Sequence, residues 1–512
     1  MMLNTSWWQL LLYTLIGLFL VRMCLKYLNL WKLLKDLKKK GAEVYFKPFI
    51  GITAKFNADT AKGDALTWFK ESMKKNPKLR FFATHQFDKP VVYLVDPNLV
   101  KAFLSDPSTN TKASILAPYF PLLQHGLLFT HGNQWKKHRR TLSTIFRFEF
   151  IMSQLPTIVK TARHIFEREL EAKGGKHIHI LDVFQMITGE LVFRIFFGED
   201  LEGVTIDGVH PTTYLAELLE ITAINSRAPE NLLLGITGTK LGLFKRNRDY
   251  MKKSKRFVSF CSEMIQSKKK KLEKDGATSS DMLTLLLQEQ KETGDFSDEE
   301  ILHEFITFFF AGMDTTGHML CMATYFFSTQ NEEVQKAVMR EANELSQAGI
   351  NITSELLNKS ETIHAFFKES LRMATPAAFI FLRDVVKDFY LEDIHLKKGS
   401  KVSLAIVSKN YDPAIHPDPD RFNMNRWISG NPDFEGEALK NPFNFIPFSA
   451  GQRNCIGQHL AIIEGKIIWS IFLSNYNFTV PSGYDMHYKF GALYEPRDIL
   501  YLNVEKKKPE LI

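Results

Sequence analysis

"NPFNFIPFSAGQRNCIGQHLAIIEGKIIWSIF", residues 441–472, sets Cys455 between Gly451 and Gly457, with Arg453 two residues ahead and a long apolar run behind. That run reads as a helix with Leu460, Ile463, Ile467, Ile468 and Ile471 on its buried side. A helix N-terminus offers free N–H groups and partial positive charge, which favour a thiolate over a thiol. Gly451 permits a tight turn, and Gly457 removes a Cβ where backbone must approach something flat and bulky. Arg453 can pair with an anion.

A lone buried cysteine is ordinarily a small hydrophobe, and that reading suits Cys261 and Cys321. A cysteine hydrolase would use His459 as its base, but no orienting third residue or oxyanion loop accompanies it. A zinc site needs further ligands at short spacing, and the sequence has none. A thiolate with close access and an adjacent cation suits an iron porphyrin with its propionates.

The chain of 512 residues is 45% hydrophobic and 24% charged, which marks it as globular rather than disordered. Its 42 phenylalanines need a bulky interior or an apolar cavity. No repeat of roughly 20–50 residues is visible, against a solenoid or propeller. The four cysteines have no CxxC spacing, which excludes a zinc ribbon, disfavours a disulfide scaffold and fits a reducing compartment. The net charge of +8 comes without a basic recognition helix or an aromatic-and-basic motif, so no nucleic-acid partner is expected.

Trp7 to Val21 is uncharged and apolar, Arg22 interrupts it, and apolar residues resume to Leu30. A spanning helix needs about 20 residues, and Trp7 and Trp8 suit one water–lipid boundary. Arg22, Lys26, Lys32, Lys35 and Lys38 to Lys40 all follow the apolar core, which places the bulk of the protein in the cytosol. A cleaved signal peptide would carry its positive charges first; a peripheral amphipathic anchor stays open. The expected organisation is a membrane anchor over 1–30, a basic linker and entry segment over 31–60, and one catalytic domain over 61–512.

Beyond the anchor the pattern is mainly α with a smaller β portion. "SDEEILHEFITFFFAGMDTTGHMLCMATYFF" opens on a capping box, Ser297 to Glu300, and continues apolar for more than six turns. "ETIHAFFKESLRMATP" predicts a helix stopped by Pro376. Residues 390–410 predict two short strands about a Lys-Gly turn, and 412–422 an irregular meander.

"FSAGQRNCIG" matches FxxGxRxCxG at Phe448, Gly451, Arg453, Cys455 and Gly457, and so resembles the haem-binding signature of the cytochrome P-450 family of haem-thiolate monooxygenases. Separate stretches agree in the family's order. "AGMDTT", Ala311 to Thr316, resembles its oxygen-activation motif, with Gly312 leaving room beside a flat macrocycle and Asp314 and Thr315 as the catalytic pair. Glu369 and Arg372 form its ExxR, which the family locks to a meander arginine, here Arg421. "WKKHRR" supplies Trp135 and Arg139; with Arg383 and Arg453, Arg139 is expected to neutralise the propionates.

The resemblance implies haem b with Cys455 as its axial thiolate and metal ligand. It implies the reaction RH + O2 + two electrons + two protons → ROH + H2O, with Asp314 relaying protons to Thr315. No GxGxxG fingerprint appears, so electrons are expected from a separate NADPH-dependent reductase, which Lys136, Lys137 and Arg140 could help dock. The anchor resembles that of the microsomal branch, implying the endoplasmic reticulum membrane with the catalytic domain facing the cytosol. "ASILAPYFPLLQHGLLFTHGNQW" and Phe308 to Phe310 predict an apolar pocket. The GLL-then-WKKHRR segment is similar to branches that hydroxylate fatty acids and other lipids, although Ala311 stands where some of those carry a haem-bonding Glu. A family member isomerising or dehydrating a peroxide without reductase, and a haem-binding sensor without turnover, are the alternatives.

Overall fold

Ser297 accepts the Glu300 N–H at 3.1 Å, and the Glu300 carboxylate accepts the Ser297 N–H at 2.8 Å, so the expected capping box starts a helix over Asp298–Ser328. This is the central helix of a computed structural model that describes residues 4–86, 88–109, 111, 121–172, 174–228, 231, 242–275, 281–380 and 382–508. Most of its side chains are buried, as its nearly continuous apolar surface requires. Its main neighbour is the helix Ile180–Val192.

Two glycines make that approach possible. A Cβ on Gly312 would lie 2.5 Å from Val192 Cγ2, and one on Gly317 would lie 2.8 Å from Gln185 Cγ. Each glycine costs about 1 kcal/mol of helix propensity, offset by the packing it permits. The room expected at Gly312 beside a macrocycle is therefore taken by Val192; this glycine serves helix–helix contact.

The run after Cys455 forms the helix Gln458–Asn475, which packs against Glu332–Ala348 and Leu155–Phe166. Leu460, Ile467, Ile468 and Ile471 are buried as expected, and Ile463 is half-buried. The ExxR segment is the helix Glu361–Met373, ending ahead of Pro376. Helix makes up 60% of the structure and strand 11%, so the fold is mainly α with a smaller β portion.

The largest sheet runs, in spatial order, Ala42–Val44, Phe81–Gln86, Lys89–Leu94, Lys401–Leu404 and Arg383–Asp384. Two short strands, Ile394–Leu396 and Lys401–Leu404, flank the Lys-Gly turn as expected, but they do not pair with each other. Ile394–Leu396 pairs with Phe389–Leu391 in a separate hairpin, and Lys401–Leu404, beyond the turn at Gly399 (φ 89°), enters the five-stranded sheet. A turn signal fixes where the chain reverses; burial of Val402 and Leu404 decides which sheet receives it.

The N-terminal helix is continuous over Asn4–Lys39 and changes character along its length. Trp8 to Val21 is exposed and apolar on every side. Tyr27, Leu30, Leu34 and Leu37 then recur at helical spacing, are buried, and join a core with Phe81, Phe103 and Val402 beneath the sheet. Lys26 adds an ion pair to Asp88 at 2.6 Å. Segment 31–60, expected as a linker, holds the end of this helix, the strand Ala42–Val44 and the helix Ile52–Thr60.

Candidate active site

The loop ahead of Cys455 folds back on itself. The Cys455 N–H donates to Phe448 O at 2.9 Å and the Asn454 N–H to Gly451 O at 3.1 Å. Gly451 has φ 72° and approaches Leu104 O so closely that a Cβ would lie 3.2 Å away, so the turn requires glycine. Gly457 is the N-cap of the following helix, and a Cβ there would meet only Phe146 at 3.6 Å, leaving the approach to the sulfur open. Phe146 in turn stacks on Phe308 of the central helix at 5.7 Å.

Cys455 is exposed yet lies deep within the fold, so it faces an internal cleft. Burial pushes its thiol pKa up, while the Gly457 N–H and the Arg139 guanidinium pull it down. The helix-terminal stabilisation expected from the sequence is present, but desolvation outweighs it. A thiolate here calls for a directly bound cation.

Three arginines gather near this loop. Arg139 donates to Asn454 O and Oδ1, both at 2.9 Å, and so braces the residue beside the cysteine. Arg453 lies 4.2 Å over the ring of Trp135 and donates to Leu127 O at 3.3 Å and Thr130 O. Burial and then the charges of Arg383 and Arg139 lower Arg453 to about 9, and burial lowers Arg383 to about 10. Partly desolvated, mutually repelling guanidiniums form a cluster that suits the two carboxylates of a haem. Of the basic residues beside them, Lys136 and Arg140 are exposed, whereas Lys137 pairs with Asp295 at 3.4 Å.

On the central helix, Asp314 is buried and accepts from Gln185 Nε2 at 2.7 Å. The Thr315 hydroxyl donates to Ala311 O at 2.8 Å, which leaves its lone pairs directed away from the helix. Ala311 is exposed and Thr315 half-buried although most of the helix is buried, so this face lines a cleft. Glu464, two turns into the cysteine helix, bonds Thr316, tying the two elements together beside Thr315; burial holds its carboxyl at about 8.

Glu369 and Arg372 form a fully buried bidentate pair at 2.8 and 2.9 Å. Arg372 also donates to Asn410 O and Pro419 O at 2.9 and 2.8 Å, which sews the helix to the meander. The third member of this set is Arg426, not the expected Arg421. Arg421 is exposed and offers only its carbonyl, whereas Arg426 is buried with Nε 3.3 Å from Glu369 Oε1 and an ion pair to Glu435. Trp427 Nε1 donates to Glu369 Oε2 at 2.9 Å. Sequence reasoning also missed His138, buried between Glu300 and Glu304 at 3.2 and 2.6 Å, and Gln185.

Comparison with known proteins agrees with this geometry. The chain matches the family described as Cytochrome P450 over residues 46–500. It is 25% identical to Cytochrome P450 4c21 of Blattella germanica, over 87% of this chain and 89% of that protein. It is 26% identical to Cytochrome P450 4F12 of Homo sapiens, over 81% and 80%, and 28% identical to Secologanin synthase 1 of Catharanthus roseus, over 79% and 76%. The chain belongs to the cytochrome P450 family. It is an oxidoreductase, a monooxygenase of a family that binds haem b through an axial cysteine thiolate.

Proposed function

We propose that this monooxygenase inserts one oxygen atom into a lipophilic substrate, a fatty acid or related lipid, using electrons from a separate NADPH-dependent reductase. The observation that carries the substrate class is the apolar lining that Leu122, Leu123, Leu215, Leu218, Leu219, Ile306 and Phe310 give to a narrow cleft, with Thr222 and Tyr250 among its lining residues. Such a wall binds apolar chain and leaves little to hold a charged body. Phe310 lies one turn before Asp314, so a bound chain lies along the helix that carries the oxygen motif. Residues 113–120, expected to help line the pocket, lie outside the described residues.

Cys455 would hold the iron, Phe448 and Gly451 shape its loop, and Gly457 gives the sulfur clearance. Arg139, Arg383 and Arg453 would face the propionates, with Trp135 fixing Arg453. When bound, the haem supplies the activation of O2 by two electrons. Asp314, held by Gln185, keeps a carboxylate beside Thr315, whose hydroxyl passes a proton into the cleft. Glu369, Arg372 and Arg426 hold the meander.

The exposed apolar stretch Trp8 to Val21, extended past the Arg22 interruption to Leu25, gives about 18 residues, or roughly 27 Å of helix at 1.5 Å per residue, against about 30 Å of hydrocarbon, with Arg22 near enough to one end to snorkel. With the basic residues behind it, this supports an endoplasmic reticulum anchor and a catalytic domain in the cytosol.

Titration of the haem-loaded protein with dodecanoic acid, followed by product analysis with NADPH and a reductase, tests the proposal. A substrate-induced shift of the haem absorption and an NADPH-dependent hydroxylated acid are expected. Conversion of a lipid peroxide without NADPH, and no hydroxylated lipid, would overturn it.

A further inference from the structure

The polar lining of the apolar cleft is gathered at one end. Leu215, Leu218 and Thr222 follow one another along a single face of the helix Pro211–Arg227, and Tyr250, on the helix Lys245–Asp275, meets the Thr222 hydroxyl there. Asn225, three residues beyond Thr222, continues the same face. It is 3% exposed, and neither its Oδ1 nor its Nδ2 has a hydrogen-bond partner. A buried amide with both groups unmade is costly, and native structures keep few of them.

The backbone behind this amide is well held. The Asn225 carbonyl accepts from Asn231 Nδ2 at 3.0 Å, and Asn231 and Asn247 exchange amide hydrogen bonds at 3.0 and 2.9 Å. Asn247 lies three residues before Tyr250 on the facing helix, so both helices turn neutral polar groups towards the same end. Burial raises the pKa of the Tyr250 hydroxyl, opposed by the Ser254 and Thr222 hydroxyls, and no charge on a described residue acts on it. Among the cations of the facing helix, Lys253 pairs with Glu217 and Arg248 donates to the carbonyls of Gly242 and Leu243.

We propose that Asn225 is a specificity-determining residue that seats the substrate's polar head, and that this head is un-ionised and both donates and accepts, as an amide or a hydroxyl does. The Asn225 amide offers an acceptor and two donors side by side. Such a head satisfies both, with its apolar chain running back along Leu218 and Leu215. A carboxylate only accepts: it would leave Oδ1 unmade and give up its hydration with no counter-charge beside it. The inference rests on the cleft being the substrate site, as argued above, and ranks the lipids named there by their heads.

Substrate-induced shifts of the haem absorption at pH 8, with dodecane, dodecanamide and dodecanoate on the haem-loaded protein, test it. All three should produce a shift in the wild type, with dodecanamide bound tighter than dodecanoate by about tenfold or more. Asn225→Leu, similar in size and without polar atoms, should lose about tenfold for dodecanamide and little for dodecane. Dodecanoate bound as tightly as dodecanamide by the wild type would overturn the subsite, whether or not the variant folds. An equal loss for dodecane and dodecanamide in Asn225→Leu would reduce Asn225 to packing and overturn it too; in both cases a shift with dodecane leaves the cleft standing as the substrate site. No shift with any of the three would overturn the cleft and the subsite together.

Discussion

Arg426 Nε lies 3.3 Å from Glu369 Oε1, inside a network in which Arg372 already holds both Glu369 oxygens. Removing one member of such a buried set leaves a charge without its partner, at a cost of about 3–5 kcal/mol. Arg426→Ala is expected to lower the thermal midpoint strongly and to release haem. Arg421→Ala, at an exposed side chain, should change stability by no more than about 0.5 kcal/mol. Parallel melts of the two variants check the assignment.

Gly312→Ala should destabilise by about 1–3 kcal/mol, because its Cβ would overlap Val192. The double variant with Val192→Ala should recover part of that loss. A double-mutant cycle by chemical denaturation reads the coupling directly.

Glu464 carries a folded-state pKa raised to about 8 by burial, against a usual value near 4.5. A raised acid binds more protons folded than unfolded between those values, so its contribution is full below about pH 4.5 and is lost as pH rises to about 8. Glu464→Gln keeps the shape and cannot ionise. Its stability relative to wild type should rise between pH 5 and 8, by on the order of a few kcal/mol, and stay flat above. Denaturation midpoints across that window test the sign.

Deleting residues 1–25 should leave a folded protein, since Lys26 and the buried face from Tyr27 remain. Deleting residues 1–39 removes Tyr27, Leu30, Leu34 and Leu37 from the core beneath the sheet. At about 1.5–3 kcal/mol for each buried apolar side chain, that second truncation should unfold or aggregate. Soluble yield and circular dichroism distinguish the two.

What was legible in the sequence was local. The turn and helix around Cys455, the capping box at Ser297 and the stop at Pro376 depend on residues within a few positions of one another. What was not legible depends on who arrives from afar. Arg421 and Arg426 are five residues apart in the same meander, and only the folded chain shows which one turns inward. Gln185, His318 and Glu495 carry no shared pattern, yet they converge on Asp314 from three elements. Gly312 had a reading as cofactor clearance; packing against Val192, set by another helix, decided otherwise.

The central claim is that Cys455 supplies a thiolate to a haem iron in the cleft it shares with Thr315. The most direct test is the carbon monoxide difference spectrum of the dithionite-reduced protein, wild type beside Cys455→Ser. The account predicts the strongly red-shifted Soret band of a thiolate-ligated ferrous haem in the wild type and its loss in the variant. A histidine-type spectrum in the wild type, or the same red-shifted band in both, would contradict it.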